Sequence, residues 1–185
     1  MKKIFSVLEK IFDVVLYTFC AIYFVSFADP NGPIITNAIA DGNCMYPTIE
    51  SGESNFFVRT SDFKVGDIVI INNKNNALSD IDESKEIVKR VVAMAGDTVE
   101  SIDGVVYING EVYVSDTTDF PNILKQTYKI TLKENECFVI GDNFARSYDS
   151  RAWKDKIVPY ENVIYKFICN GFDFFRDDSL EKNMK

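Results

Sequence analysis

Past residue 30 the sequence offers no long amphipathic helical pattern, so a core in this region has to be built from strands. "NFFVRT" and "VGDIVIINN" read as strands, and "EIVKRVVAMAGDTVESI" is a long β-branched run with a Gly-Asp turn. "VVYINGEVYV" carries Asn109-Gly110 at its centre, the strongest short-range hairpin signal. "YKITLKENECFVIGDN" predicts two more strands on either side of Lys133–Asn135. A composition of 46% hydrophobic and 14% aromatic residues is enough for a real core and excludes a disordered chain. The expectation is a mainly β domain over residues 34–175, followed by a charged tail at 176–185.

Before that domain lies a different kind of segment. Val14–Phe27 is uncharged, but is short of the roughly 20 residues that a span requires. Extending it back to Ile4 takes in Glu9, Lys10 and Asp13. The first dozen residues therefore read as an interfacial helix leading into a span, and residues 1–28 as an anchor. Lys2, Lys3 and Lys10 precede the apolar run, which places the N-terminus in the cytoplasm and the β domain outside. Two other readings stay open. One is a cleaved secretory signal with Ser26-Phe27-Ala28 as its cleavage site, which the acidic residues near the start disfavour. The other is a buried core helix, which the linker-like Asp29-Pro30-Asn31-Gly32-Pro33 disfavours.

Charge and residue type narrow the chemistry. Beyond residue 28 there are 17 Lys+Arg against 26 Asp+Glu, a balance unsuited to nucleic acid. The chain has no histidine, which removes Ser-His and Cys-His triads. Its four cysteines, Cys20, Cys44, Cys137 and Cys169, lack metal-site spacing, so no metal is expected. A Cys137–Cys169 disulfide is one open possibility. Acid–base work falls to Lys, Asp, Glu, Tyr or Cys.

Three stretches can supply it. In "DGNCMYPTI", an extended reading puts Ala38, Ala40, Gly42 and Cys44 on one small-residue face. Pro47 ends the regular strand, leaving Cys44 where a side chain can be exposed. The plain alternative is a buried, inert cysteine. In "EIVKRVVAMAGD", Lys89 and Arg90 are adjacent in an apolar strand and so point to opposite faces. Lys89 shares its face with Ile87, Val91 and Ala93. An ammonium held among apolar groups loses solvation, which favours the neutral amine that can serve as a base. The plain alternative is a lysine that snorkels to water. In "GDNFARSYDSRAW", Ser147 can hydrogen-bond a lysine amine, while Asp149 and Arg151 are expected to form a structural ion pair.

Taken together and in this order, the stretches resemble the boxes of type I signal peptidases, membrane-anchored Ser-Lys endopeptidases of the compact Gram-positive type. "DGNCMYPTI" is similar to the nucleophile box G-x-S-M-x-P-T. "VGDIV" matches the short strand motif that follows it. "VKRVVAMAGD" resembles K-R-V-x-x-x-x-G-D, and "GDNFARSYDSR" resembles G-D-N-x-x-x-S-x-D-S-R. The resemblance implies an N-terminal transmembrane helix, then an antiparallel β-sheet peptidase domain with a small inserted β subdomain at 98–134. It implies Lys89 as general base, Ser147 orienting its amine, Asp149 and Arg151 bracing the site, and the Cys44 N–H in the oxyanion hole. Gly42 falls where some members carry an assisting hydroxyl. Ala38, Ala40, Ile49 and Val88 fall where the family lines its S1 and S3 pockets, and Met45 where side chains lie against the membrane. The implied substrates are signal peptides of exported precursors cut after small-x-small sites at the outer face of the membrane, with no cofactor.

Two positions depart from the pattern. Cys44 replaces the family's serine, and Phe144 stands where arginine is usual. Cysteine ionises more readily and is the stronger nucleophile, but its larger sulfur displaces the reacting oxygen from donors placed for serine. Alongside the peptidase stand two other readings. One is an inactive relative that binds precursors and assists pilus or surface-protein assembly, and the other is a tethered structural β protein.

Overall fold

The structure is a computed structural model that describes residues 10–18, 20–21, 33–73, 78–79, 81–82, 85–115 and 121–171. Two compact units divide after Thr36. In the first, residues 10–18 and 20–21 are helical, with Ile11, Phe12, Val14, Val15 and Leu16 exposed. No helix among the described residues is long and apolar enough to cross a membrane. Much of the expected anchor, residues 1–9 and 22–28, lies outside the described residues, as does the 176–185 tail.

From Ile35 onward the described residues are mainly β, in two antiparallel sheets. The larger sheet has the order β1-β2-β11-β3-β4-β9-β10. Its strands are β1 (Ile35–Ile39), β2 (Ser54–Arg59), β3 (Ile68–Asn72), β4 (Glu86–Ala93), β9 (Glu136–Ile140), β10 (Val158–Pro159) and β11 (Val163–Asn170). The smaller sheet has the order β7-β6-β5-β8, from β5 (Thr98–Ile102), β6 (Val105–Ile108), β7 (Glu111–Val114) and β8 (Tyr128–Thr131).

The sequence of β3, Ile-Val-Ile-Ile-Asn, is apolar without alternation because both of its faces are covered. Ile68 and Ile70 join a cluster with Met45, Ile49, Phe57 and Tyr165, whereas Val69 and Ile71 pack with Phe63, Val91, Cys137 and Trp153. The first of these clusters forms the floor beneath the Cys44 loop. A third cluster joins the end of β4 to the smaller sheet through Val92, Val99, Val106, Phe138 and Ile140.

The Asn109-Gly110 turn behaves as its sequence predicts. Both residues take positive φ (52° and 86°), and Ile108 pairs with Glu111 across a two-residue loop. The two strands flanking Lys133–Asn135 both form, but β8 belongs to the smaller sheet and β9 to the larger. That turn, with Asn135 at φ 63°, returns the chain from one sheet to the other.

Candidate active site

A cleft of about 700 Å³ opens where the Cys44 loop meets β4. The loop folds against its own backbone, with Tyr46 N–H donating to the Asn43 carbonyl and Ile49 N–H to that of Met45. Met45 and Ile49 are only 3% and 1% exposed, and they pin the loop to the floor cluster. Burying side chains of this size favours the closed loop by about 1.5–3 kcal/mol each. This corrects the expectation that Met45 faces the membrane, since its side chain serves the core. Cys44, immediately before the first of these anchors, is half-buried and lines the cleft.

The extended segment ends sooner than alternation suggested. β1 stops at Ile39, and Gly42 has φ 92°, a conformation that side-chain-bearing residues rarely adopt. Ala38, Ala40, Gly42 and Cys44 still line the same cleft, as do Ile49 and Val88. They meet there through a bent loop and not through strand alternation.

Lys89 is 2% exposed. Its Nζ donates to the Val88 carbonyl at 3.0 Å and lies 3.3 Å from Cys44 Sγ. Lys89 stands opposite Val69 on β3, on the side that holds Ile87 and Val91, as alternation predicts. Ala93 does not follow. A bulge between Val91 and Ala93 turns both Val92 and Ala93 toward the third cluster.

Ser147 is buried, and its Oγ has no hydrogen-bond partner among the described residues. Lys89 is thus held by the Val88 carbonyl and the sulfur, and the hydroxyl expected to orient it stands unengaged. Ser147 packs so tightly on Gly141 that a β-carbon there would come within 2.2 Å of its Oγ and 2.5 Å of the Cys44 carbonyl oxygen. Asp149 and Arg151 form a fully buried ion pair, with Nε to Oδ1 at 2.9 Å and Nη2 to Oδ2 at 2.7 Å. The same carboxylate accepts the Gly141 N–H at 3.0 Å, so the pair fixes the glycine that faces the Cys44 carbonyl.

Asp142 and Asn143 complete the frame. Asp142 accepts a forked pair of bonds from Arg90 (Nε to Oδ1 at 2.7 Å, Nη2 to Oδ2 at 2.5 Å) and one from Thr48 Oγ1. That hydrogen bonding raises the pKa of the Arg90 guanidinium above its ordinary value and keeps it charged. Asn143 donates from its backbone to the Cys44 carbonyl and from its side chain to the Asn43 carbonyl, each at 3.0 Å. The loops of the first, third and last motifs are thereby laced together around Cys44 and Lys89. The backbone N–H of Cys44 has no acceptor among the described residues. Those residues also contain no cluster of three or more potential metal ligands.

Residues 11–169 match the family described as signal peptidase, peptidase S26. The chain belongs to that family. It is 35% identical over 126 residues to signal peptidase I of Bacillus licheniformis, covering 61% of this chain and 64% of that one. It is 32% identical over 127 residues to signal peptidase I S of Bacillus subtilis, again covering 61% and 64%. The chain thus spans just under two thirds of the length of these relatives. A crystal structure of a signal peptidase I from Enterococcus faecalis is 25% identical, covering 55% of this chain and 93% of that one, with a TM-score of 0.40.

Family membership explains why the boxes occur in this order. The lacing explains what several of their residues do. Sequence reasoning passed over Asp142 and Thr48 as site residues, and treated Arg90 only as the neighbour of Lys89. The Gly-Asp-Asn at the end of β9 and the Thr after Pro47 were the available signals.

Proposed function

We propose that this chain is a membrane-anchored endopeptidase that removes signal peptides from exported precursors after small-x-small sites. The observation that carries the reading is the 3.3 Å approach of a buried lysine amine to a half-buried cysteine sulfur at the wall of a cleft. Lys89 takes the Cys44 proton, and the sulfur attacks the scissile carbonyl carbon. The carbonyl oxygen becomes an oxyanion, for which the Cys44 N–H is a donor. As the tetrahedral species collapses, Lys89 gives its proton to the leaving amine, and the signal peptide stays on Cys44 as a thioester. Lys89 then activates the water that hydrolyses it.

Ala38, Ala40, Ile49 and Val88 would accept small side chains at positions −1 and −3. Gly42 contributes backbone only. Ser147 is assigned to hold the amine as its proton is exchanged, and Asp149 and Arg151 to brace Gly141 beneath it. The anchor at 1–28 would cross the bilayer once with its N-terminus in the cytoplasm, leaving residues 34–175 outside. The partners are then the lipid bilayer and precursor signal peptides, with pilin or other surface-protein precursors among the candidate substrates.

The test is cleavage of a precursor with an Ala-x-Ala site, reading the new N-terminus of the product. The chain should cut, and Lys89→Ala should not. Cutting by Cys44→Ser alone would mean a peptidase scaffold disabled by cysteine. Precursor binding without cleavage by either chain would replace the peptidase with the assembly-assisting binder.

A further inference from the structure

The Cys44–Lys89 pair has a chemistry that peptide cleavage does not use. We propose that it is a peroxide-responsive modification site, in which the sulfenic acid of Cys44 condenses with the Lys89 amine to give a reversible sulfur–nitrogen crosslink. Sulfenic acids condense with neighbouring thiols, and with nitrogen to form sulfenamides. The neighbour here is nitrogen. Nζ lies 3.3 Å from Sγ and is turned toward it by its bond to the Val88 carbonyl. All four cysteines are free thiols. Cys137, the most buried of them, packs in the cluster on the opposite face of β3 from the floor of the cleft. Oxidant enters by the cleft, where Cys44 is half-buried and the amine is almost fully covered.

The steps balance. The thiol and hydrogen peroxide give the sulfenic acid and water, with sulfur oxidised by two electrons and peroxide reduced. The lone pair of the Lys89 amine then attacks sulfur. The S–N bond forms, the S–O bond breaks, and the departing hydroxide leaves as water with the amine proton. Two molecules of a thiol reductant return the free thiol and amine and are themselves joined as a disulfide. The crosslink occupies both groups assigned to catalysis, and it stops the sulfur short of the irreversible sulfinic acid. It depends on the geometry of the pair and not on peptidase activity, so a chain that cleaves nothing would still form it.

The test uses the full chain with Cys20→Ser and Cys169→Ser, treated with hydrogen peroxide and mapped as peptides by mass spectrometry. The expected product joins the Cys44 and Lys89 peptides with the loss of two hydrogens, and dithiothreitol separates them. Lys89→Met, which keeps most of the side chain's length without its amine, should instead give a Cys44 sulfenic acid that dimedone traps and that, without dimedone, proceeds to sulfinic acid. The proposal is overturned if the parent chain, its Cys44 oxidised by peroxide, yields no joined peptide. A disulfide from Cys44 to Cys137 would overturn it equally. The parent chain decides the matter even if Lys89→Met fails to fold.

Discussion

Cys44 and Lys89 are 45 residues apart in sequence and 3.3 Å apart in space, and most of what the site can do follows from that contact. Removing the amine in Lys89→Ala should lower kcat/KM by about 10²–10⁴-fold or more, the range ascribed to a positioned base. Steady-state kinetics on a small-x-small substrate would measure it. The cysteines should also divide by environment. Burial pushes the Cys137 thiol from 9.0 up to about 12, so iodoacetamide near neutral pH should label Cys44 and leave Cys137 unmodified in the folded chain. Peptide mapping checks this. The same shift has a sign for stability. Between pH 9 and about 12 the unfolded state has lost this proton and the folded state keeps it, so the contribution is complete below pH 9 and fades as pH rises. Urea midpoints should therefore fall less steeply over that window in Cys137→Ala than in the parent. Cys44 and Lys89 were singled out in the sequence by the order and spacing of four motifs, since each stretch alone favoured the plain alternative. Asp142 was not, since its partners Thr48 and Arg90 lie 94 and 52 residues away and no local spacing reveals such a contact.

The elements that carry these residues owe their placement to a few local devices. Gly141, at the end of β9, has no room for a β-carbon, with Ser147 on one side and the Cys44 carbonyl on the other. Gly141→Ala should push the Cys44 loop away from Asn143 and reduce turnover far more than it reduces substrate binding, a split visible in kcat against KM. Asp149 holds that glycine through its N–H while buried against Arg151. Asp149→Ala leaves a buried guanidinium without its carboxylate, and should cost about 3–5 kcal/mol in denaturant unfolding. A loss below about 1 kcal/mol would show that the pair is not bracing the site. Strand positions and the Asn109-Gly110 turn were readable because period-two patterning and turn chemistry are local. The assignment of β8 and β9 to different sheets followed only from the resemblance, through its insert at 98–134, because either sheet satisfies the same alternation. The bulge after Val91 was hidden for the same reason, as a β-branched run looks alike with or without it.

At the scale of the whole molecule, the smaller sheet is joined to the larger through one continuous apolar cluster, and the cleft lies where the loops after β1 and β9 converge on β4. The sequence announced a mainly β chain because it lacks amphipathic helices, but loops separated by about a hundred residues meet only once the fold exists. If residues 1–28 anchor the chain, the full-length protein should sediment with membranes, and protease added outside intact protoplasts should digest the β domain. Release into the soluble fraction would remove the anchor from the account. The most direct measurement is the mass of the intact chain during turnover of an Ala-x-Ala precursor. The account predicts a transient adduct equal to the released signal peptide less one water, bound to Cys44 as a hydroxylamine-sensitive thioester and absent in Lys89→Ala. Cleavage without an adduct on Cys44, or an adduct that forms equally well without Lys89, would contradict it.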